Sequence, residues 1–207
     1  MKTQGNYRIQ VQKAQEYFLR YDQNTLIDKF CLSHDEDYFY ITMLAAPYRL
    51  NRKTGDLTRS YGGQWVDANS HSEVMTLLDL LCDSRADRGL SHRWKNMQDF
   101  GLMFHKNLLE DGKDTDALFF QTHADAFRKA CLALGGTPLP HGDISYAIIL
   151  FDGLPMALQL WLGDEEFPPR LRMLWDANAN QYLKYETMYF AKGLLFARLR
   201  EEMAPYL

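Results

Sequence analysis

Cysteine is scarce in this chain: Cys31, Cys82 and Cys131 are the only three in 207 residues, far apart and without a Cys-x-x-Cys pair. That scarcity excludes a disulfide scaffold and fits a reducing compartment, with each thiol sitting among apolar neighbours as a small buried hydrophobe. None of the three lies in a glycine-rich or helix-start setting that would activate a nucleophile. Long apolar runs are also missing. No stretch approaches the twenty or so residues that span a bilayer, and the opening MKTQGNYRIQVQKAQ lacks an apolar segment of secretory type. A cytoplasmic location and no membrane association are therefore expected. Basic charge is not in excess, since 23 Lys and Arg face 27 Asp and Glu for a net charge of -4. Nucleic acid is not expected as a partner, because phosphate contacts need a concentrated Lys/Arg surface. His34, His71, His92, His105 and His123 show neither HxxxH nor HExxH spacing, so zinc is not expected. Gly62-Gly63, beside Tyr61 and Trp65, is followed by no Lys-Ser/Thr pair and is too sparse to cradle a phosphate. It reads as a flexible loop, with a lid as one use.

What is present is ordinary globular material. With 46% hydrophobic and 24% charged residues, the chain can bury a core without staples. A single domain over 1–207 is expected, and the polar stretch SRADRGLSHRWKN, near 84–96, is the one place for a subdivision. The organising stretch runs from His141 to Met203. Ile144 to Phe151 is apolar at both odd and even positions, as in a strand covered on both faces. Asp152-Gly153 then supplies a hairpin turn, and Met156 to Leu162 returns as the partner strand. Pro168-Pro169 forces a corner, after which Pro169 is placed to open a short helix through Trp175. From Lys184 to Met203 the residues Tyr185, Met188, Ala191, Leu195 and Leu199 form one stripe at helical spacing.

Upstream, Tyr7, Val11, Ala14, Phe18 and Tyr21 mark an amphipathic helix ending near Asp22, and a short helical turn follows over Asn24–Phe30. Cys31–Ser33, Tyr38–Leu44, Tyr48–Asn51 and a short strand through Arg59 make a meander. Ser70-His71-Ser72-Glu73 is a capping box that starts a helix buried through Val74, Leu77, Leu78 and Leu81. A further helix is expected over Met97–Leu109, broken by Asp111-Gly112-Lys113. Another carries the stripe Phe120, Ala124, Phe127, Cys131, Leu134 and is capped by Gly135-Gly136.

Several of these residues together resemble a known family. They are Gly135-Gly136 closing a helix, Gly142-Asp143 before a strand, Leu160-Trp161 with Gly163-Asp164-Glu165-Glu166-Phe167-Pro168, Leu174-Trp175-Asp176, and Tyr182-Leu183 before the last helix. Over residues 134–203 the chain resembles the bacterial and archaeal family called domain of unknown function 3786. Members look common in anaerobes and attached to other domains, which implies an accessory role. Some relatives carry a cysteine-rich segment of iron-sulfur type, and this chain has none to match it. The resemblance implies no activity.

The candidate chemistry gathers at the charged corner. Asp164, Glu165, Glu166 and Asp176, joined by Asp143 or His141, offer oxygens for a hard divalent cation or a pair of carboxylates for acid and base work. Against that, carboxylates before a proline-started helix cap it, and Asp176 before Ala-Asn-Ala-Asn reads as a turn. Trp65, Trp94, Trp161 and Trp175, with twelve tyrosines, could line a pocket for a planar ligand, although aromatics at these periods usually fill cores. Trp94, in the polar run Ser91-His92-Arg93-Trp94-Lys95, stands out as a contact-surface candidate.

Two functions follow. The first is a non-catalytic binding or accessory module holding a partner protein or a small ligand. The second is a divalent-metal-assisted hydrolase or related enzyme centred on Asp164, Glu165, Glu166 and Asp176. Neither names a cofactor. The fold expected is α+β, an antiparallel sheet of about five strands drawn from the meander and the C-terminal hairpin, packed with several helices, its strand order left open.

Overall fold

The computed structural model describes residues 2–100 and 115–207. Among them six α-helices and two antiparallel five-stranded sheets make an α+β chain, which divides into two compact units. The five-stranded antiparallel sheet expected from the sequence thus occurs twice. The meander supplies one, and the C-terminal hairpin belongs to the other. Among the described residues no helix is long and apolar enough to cross a membrane.

The first unit takes Met1–Gly89 with Asn180–Leu195. Helix α1 (Lys2–Arg20) buries Phe18 and packs along α3 (His71–Asp83). Helix α2 (Gln23–Phe30) begins where the Asp22 carboxylate accepts the Asn24 amide at 3.0 Å. It ends at Cys31, which adopts φ 49° and is exposed. The expectation of a buried thiol fails here because the position is set by how the backbone leaves the helix, not by packing. The meander follows as β1 (Ser33–His34), β2 (Tyr38–Met43), β3 (Ala46–Asn51), β4 (Leu57–Tyr61) and β5 (Gln64–Asp67), paired in chain order. Alternation along β2 buries Phe39, Ile41 and Met43 and leaves Tyr40 and Thr42 outward. Gly62-Gly63, expected as a loop, forms the turn of the β4–β5 hairpin. Both glycines have positive φ, 57° and 78°, and they close a two-residue hairpin between Tyr61 and Gln64, a conformation that costs other residues strain.

The capping box of α3 forms as expected. The Ser70 hydroxyl accepts the Glu73 amide at 3.3 Å and donates to Glu73 Oε2 at 2.7 Å. Glu73 is buried. The Tyr48 hydroxyl donates to its Oε1 at 3.0 Å and Arg59 Nε stands 3.7 Å away, which ties the start of α3 to β3 and β4. Lys29 at the end of α2 donates to the carbonyls of Leu81 and Ser84, at 2.9 and 2.6 Å, where α3 leaves acceptors unpaired.

The second unit takes Leu90–Ala179 with Phe196–Leu207. Its sheet runs in the order β6 (Trp94–Asn96), β10 (Arg170–Asp176), β9 (Pro155–Trp161), β8 (Ile144–Ile149), β7 (Thr137–Pro138). Strands β8 and β9 pair from Ile144↔Leu160 to Ile149↔Pro155, and Asp152 and Gly153 turn the chain with φ of 53° and 75°. Both β8 and β9 lie inside the sheet, and β9 is buried through Met156–Leu160 on both faces. The short helix expected from Pro169 to Trp175 is instead strand β10. Arg170, Leu171, Arg172 and Met173 alternate between more and less exposed positions, and the segment pairs with β9 on one side and β6 on the other. Gly163 explains the corner before it, since a Cβ there would lie 2.5 Å from the Pro169 nitrogen.

Trp94, expected in a loop, lies in edge strand β6. The single helix expected through Phe120 and Leu134 is two, α4 (Thr115–Thr122) and α5 (Ala124–Ala133), broken at His123 with φ -120° and ψ 42°. Its stripe survives the break, with Phe120 stacked on Phe127 at 4.4 Å between ring centres. Of the helix expected over Met97–Leu109, Met97–Phe100 forms a 3-10 turn, and the rest, with Asp111-Gly112-Lys113, lies outside the described residues. Helix α6 (Tyr185–Met203) contributes its residues through Leu195 to the first unit and those from Phe196 to the second. Met188, Ala191, Leu195 and Leu199 of its expected stripe are fully buried.

Candidate functional site

Strand periodicity decides which side chains of the second sheet share a face. Asn96 stands opposite Leu174, Arg172 opposite Gln159, and Arg170 opposite Trp161, so alternate residues of β6, β10 and β9 project together. With His141 and Gly142, from the approach to β8, residues of these strands line a cleft of about 510 Å³. Trp94 and Trp161 give it aromatic surface, Arg172 gives it positive charge, and Asp99 adds a carboxylate at its edge. Arg172 Nε donates to Asn96 Oδ1 at 3.0 Å, and Asn96 Nδ2 donates in turn to Asp99 Oδ2 at 3.3 Å. Among the described residues the Arg172 guanidinium makes no ion pair. Gln159, 5% exposed, places an amide in the floor.

The tryptophans singled out by sequence separate here. Trp94, 40% exposed, and Trp161 both line the cleft, Trp94 opposite Asp176 and Trp161 opposite Arg170 on β10. Trp175 is fully buried on the alternate register of β10, opposite Lys95 and Met156. Trp65 belongs to the first unit, where the Arg49 guanidinium lies over its ring at 3.9 Å.

The carboxylates of the acidic corner go elsewhere. Asp164 Oδ1 accepts the amides of Phe167 and Glu166, at 2.8 and 2.9 Å, and these bonds hold its carboxyl below the usual range. Glu165 and Glu166 are exposed, and Phe167 beside them is 67% exposed. Asp143 Oδ2 accepts the Leu162 amide at 2.8 Å and fastens the approach to β8 onto the end of β9. Asp176 is buried. Its oxygens accept the amides of Ser91 and His92, the Ser91 hydroxyl and the Asn178 amide, at 2.7 to 3.1 Å. Burial pushes this carboxyl up, but the donors from Ser91, Asn178 and His92 outweigh it and leave the group low. Among the described residues no group of three or more His, Cys, Asp or Glu is placed to hold a metal ion. Through the Ser91 and His92 amides Asp176 is bonded to the segment that leads into β6, where it stands opposite Trp94.

A second cleft, of about 700 Å³, lies within the first unit among α1, α3 and the opening turns of α6, and sequence reasoning passed over it. Asp79 and Asp83 line it from α3. The available signal was two carboxylates four residues apart in a helix otherwise rich in leucine, which puts both on one face.

A family model described as Domain of unknown function (DUF3786) matches residues 22–198. The match reaches well upstream of residues 134–203, where the resemblance is plainest. Comparison with curated proteins and with solved structures finds no match.

Proposed function

The chain belongs to the family of domain of unknown function DUF3786, and on that premise we propose that it is a non-catalytic binding module whose second-sheet cleft holds a small, planar, anionic ligand. The observation that carries this reading is that Trp94, Trp161 and Arg172 line one concavity, with the guanidinium unpaired by any carboxylate among the described residues. Ring faces at Trp94 and Trp161 offer about 1 kcal/mol each in stacking beyond area burial. A guanidinium hydrogen-bonded to an anionic group adds roughly 1.5–3 kcal/mol. Asn96 holds Arg172 by one nitrogen, which supports a preorganised donor with its remaining N–H groups turned to a ligand. An accessory role in the cytoplasm of an anaerobe, as the resemblance implies, belongs to this proposal.

The hydrolase alternative has less support, because Asp164 Oδ1 and both Asp176 oxygens already accept backbone amides. A cleft formed on a sheet face also suits a small ligand better than a flat protein partner.

Titration of the full chain with 2-naphthoate, followed by the indole N–H signals of its four tryptophans, tests the proposal. Saturable shifts are expected at Trp94 and Trp161 while Trp65 and Trp175 stay put. The neutral 2-naphthamide should bind about tenfold more weakly, and Arg172→Gln should remove the difference. Equal response to acid and amide, or no shift at Trp94 and Trp161, overturns it.

A further inference from the structure

The cleft of the first unit contains a mismatch of charge. Asp83 is exposed and well supplied, with Lys184 Nζ 2.5 Å from its Oδ2 and the Tyr17 hydroxyl 3.4 Å from its Oδ1. Asp79, one helical turn earlier, is half-buried and accepts the Thr187 hydroxyl, and among the described residues it makes no ion pair. A carboxylate drawn partly out of water without an ion pair is costly, the Lys184 charge nearby offsets only part of that cost, and a further cation relieves more of it. Around Asp79 the walls are apolar and aromatic, from Met75 on α3, Phe190 on α6 and Tyr17 on α1.

We propose that this cleft is a separate binding site for a primary amine carried on an apolar body, the ammonium meeting Asp79 and the body lying against Met75, Phe190 and Tyr17. The aromatic rings favour a cation as well as its hydrocarbon. An anion fits poorly, because Lys184 is already engaged by Asp83 and the Asp79 carboxylate repels it. A divalent metal lacks ligands, since among the described residues no group of three or more carboxylates, histidines or cysteines is placed to hold one.

The site has a built-in pH dependence. Burial lifts the Asp79 carboxyl above its ordinary range, and the Thr187 hydroxyl and Lys184 charge draw it only partly back. The titratable groups facing the cleft are Lys13 and Tyr17 from α1, Asp83 from α3, Lys184 just before α6, and Glu186 in its first turn. Of these, Asp83 and Glu186 raise Asp79 further. The amine binds the ionised carboxylate, so affinity is full above the raised pKa and falls as pH drops through it.

Phenethylammonium, its neutral counterpart 2-phenylethanol and the anion 3-phenylpropionate, titrated into the full chain, decide the matter by calorimetry and by amide shifts at Asp79 and Thr187. The amine should bind about tenfold or more tightly than either analogue. Asp79→Asn should abolish that preference, and acidification should weaken amine binding to the unaltered chain. Equal binding of amine and alcohol, or a preference that survives Asp79→Asn, overturns the inference. If Asp79→Asn fails to fold, the amine-to-alcohol ratio of the unaltered chain and its loss at low pH decide between the same outcomes. The readout at Asp79 and Thr187 is independent of Trp94 and Trp161, so this site and the second-sheet cleft can fail separately.

Discussion

The Asp176 carboxylate accepts the backbone amide of His92 at 2.7 Å, joining two points 84 residues apart in the chain. With Ser91 and Asn178 on the same carboxylate, one buried side chain is bonded to the segment that leads into β6 and stands opposite Trp94.

Asp176→Asn should therefore destabilise the second unit by roughly 2–4 kcal/mol, because an amide NH2 would face the Ser91 and His92 donors. Its carboxyl is held low in the folded chain, so its contribution is present above the unfolded pKa and lost as pH falls through the folded one. Urea melts from neutral to acid pH should show the unaltered chain losing stability on acidification and Asp176→Asn losing less. Parallel curves would show that Asp176 is not the anchor.

The turn between β2 and β3 is closed by Leu44 and Ala45, with φ of 48° and 58° and no glycine. A left-handed conformation costs an L-residue about 1–2 kcal/mol relative to glycine. Leu44 is buried and contributes packing, whereas Ala45 is exposed. Ala45→Gly should thus stabilise the chain by about 1 kcal/mol after the extra flexibility of unfolded glycine is subtracted. Thermal unfolding that moves down instead of up would show the turn unstrained.

Thiol chemistry separates the three cysteines. Burial pushes the Cys82 thiol up to about 12 and the Cys131 thiol upward as well, while Cys31 is exposed. An aromatic disulfide reagent at pH 8 should modify Cys31 promptly in the native chain and the other two only with denaturant. Prompt reaction at all three would mean that α3 and α5 open readily.

Much of the architecture was legible because its signals are local. The turn at Asp152-Gly153, the capping box at Ser70 and the stripe Met188, Ala191, Leu195, Leu199 each lie within a few residues, and each formed where its signal lies. Pro169 misled for the same reason. A proline suits a helix start and a strand start equally, and the choice was made by β9 and β6, neither of which adjoins it in sequence. Apolar neighbours in sequence suggested burial for Cys31, but the backbone turns out of α2 there and leaves the thiol exposed. The acidic corner looked like a site because its carboxylates are close in sequence, yet backbone amides took up Asp164 and Asp176 first.

By itself the sequence determined the α+β class, the β8–β9 hairpin and the buried face of α6, since hydrophobic periodicity and turn chemistry act over a span of residues that contact one another whatever the rest does. Tertiary structure alone decided that the strands form two sheets, that Trp94 shares a cleft with Arg172, and that Asp79 is drawn out of water against a hydroxyl. Those outcomes depend on register between distant segments and on which groups lose water together, and no stretch of chain carries that information on its own.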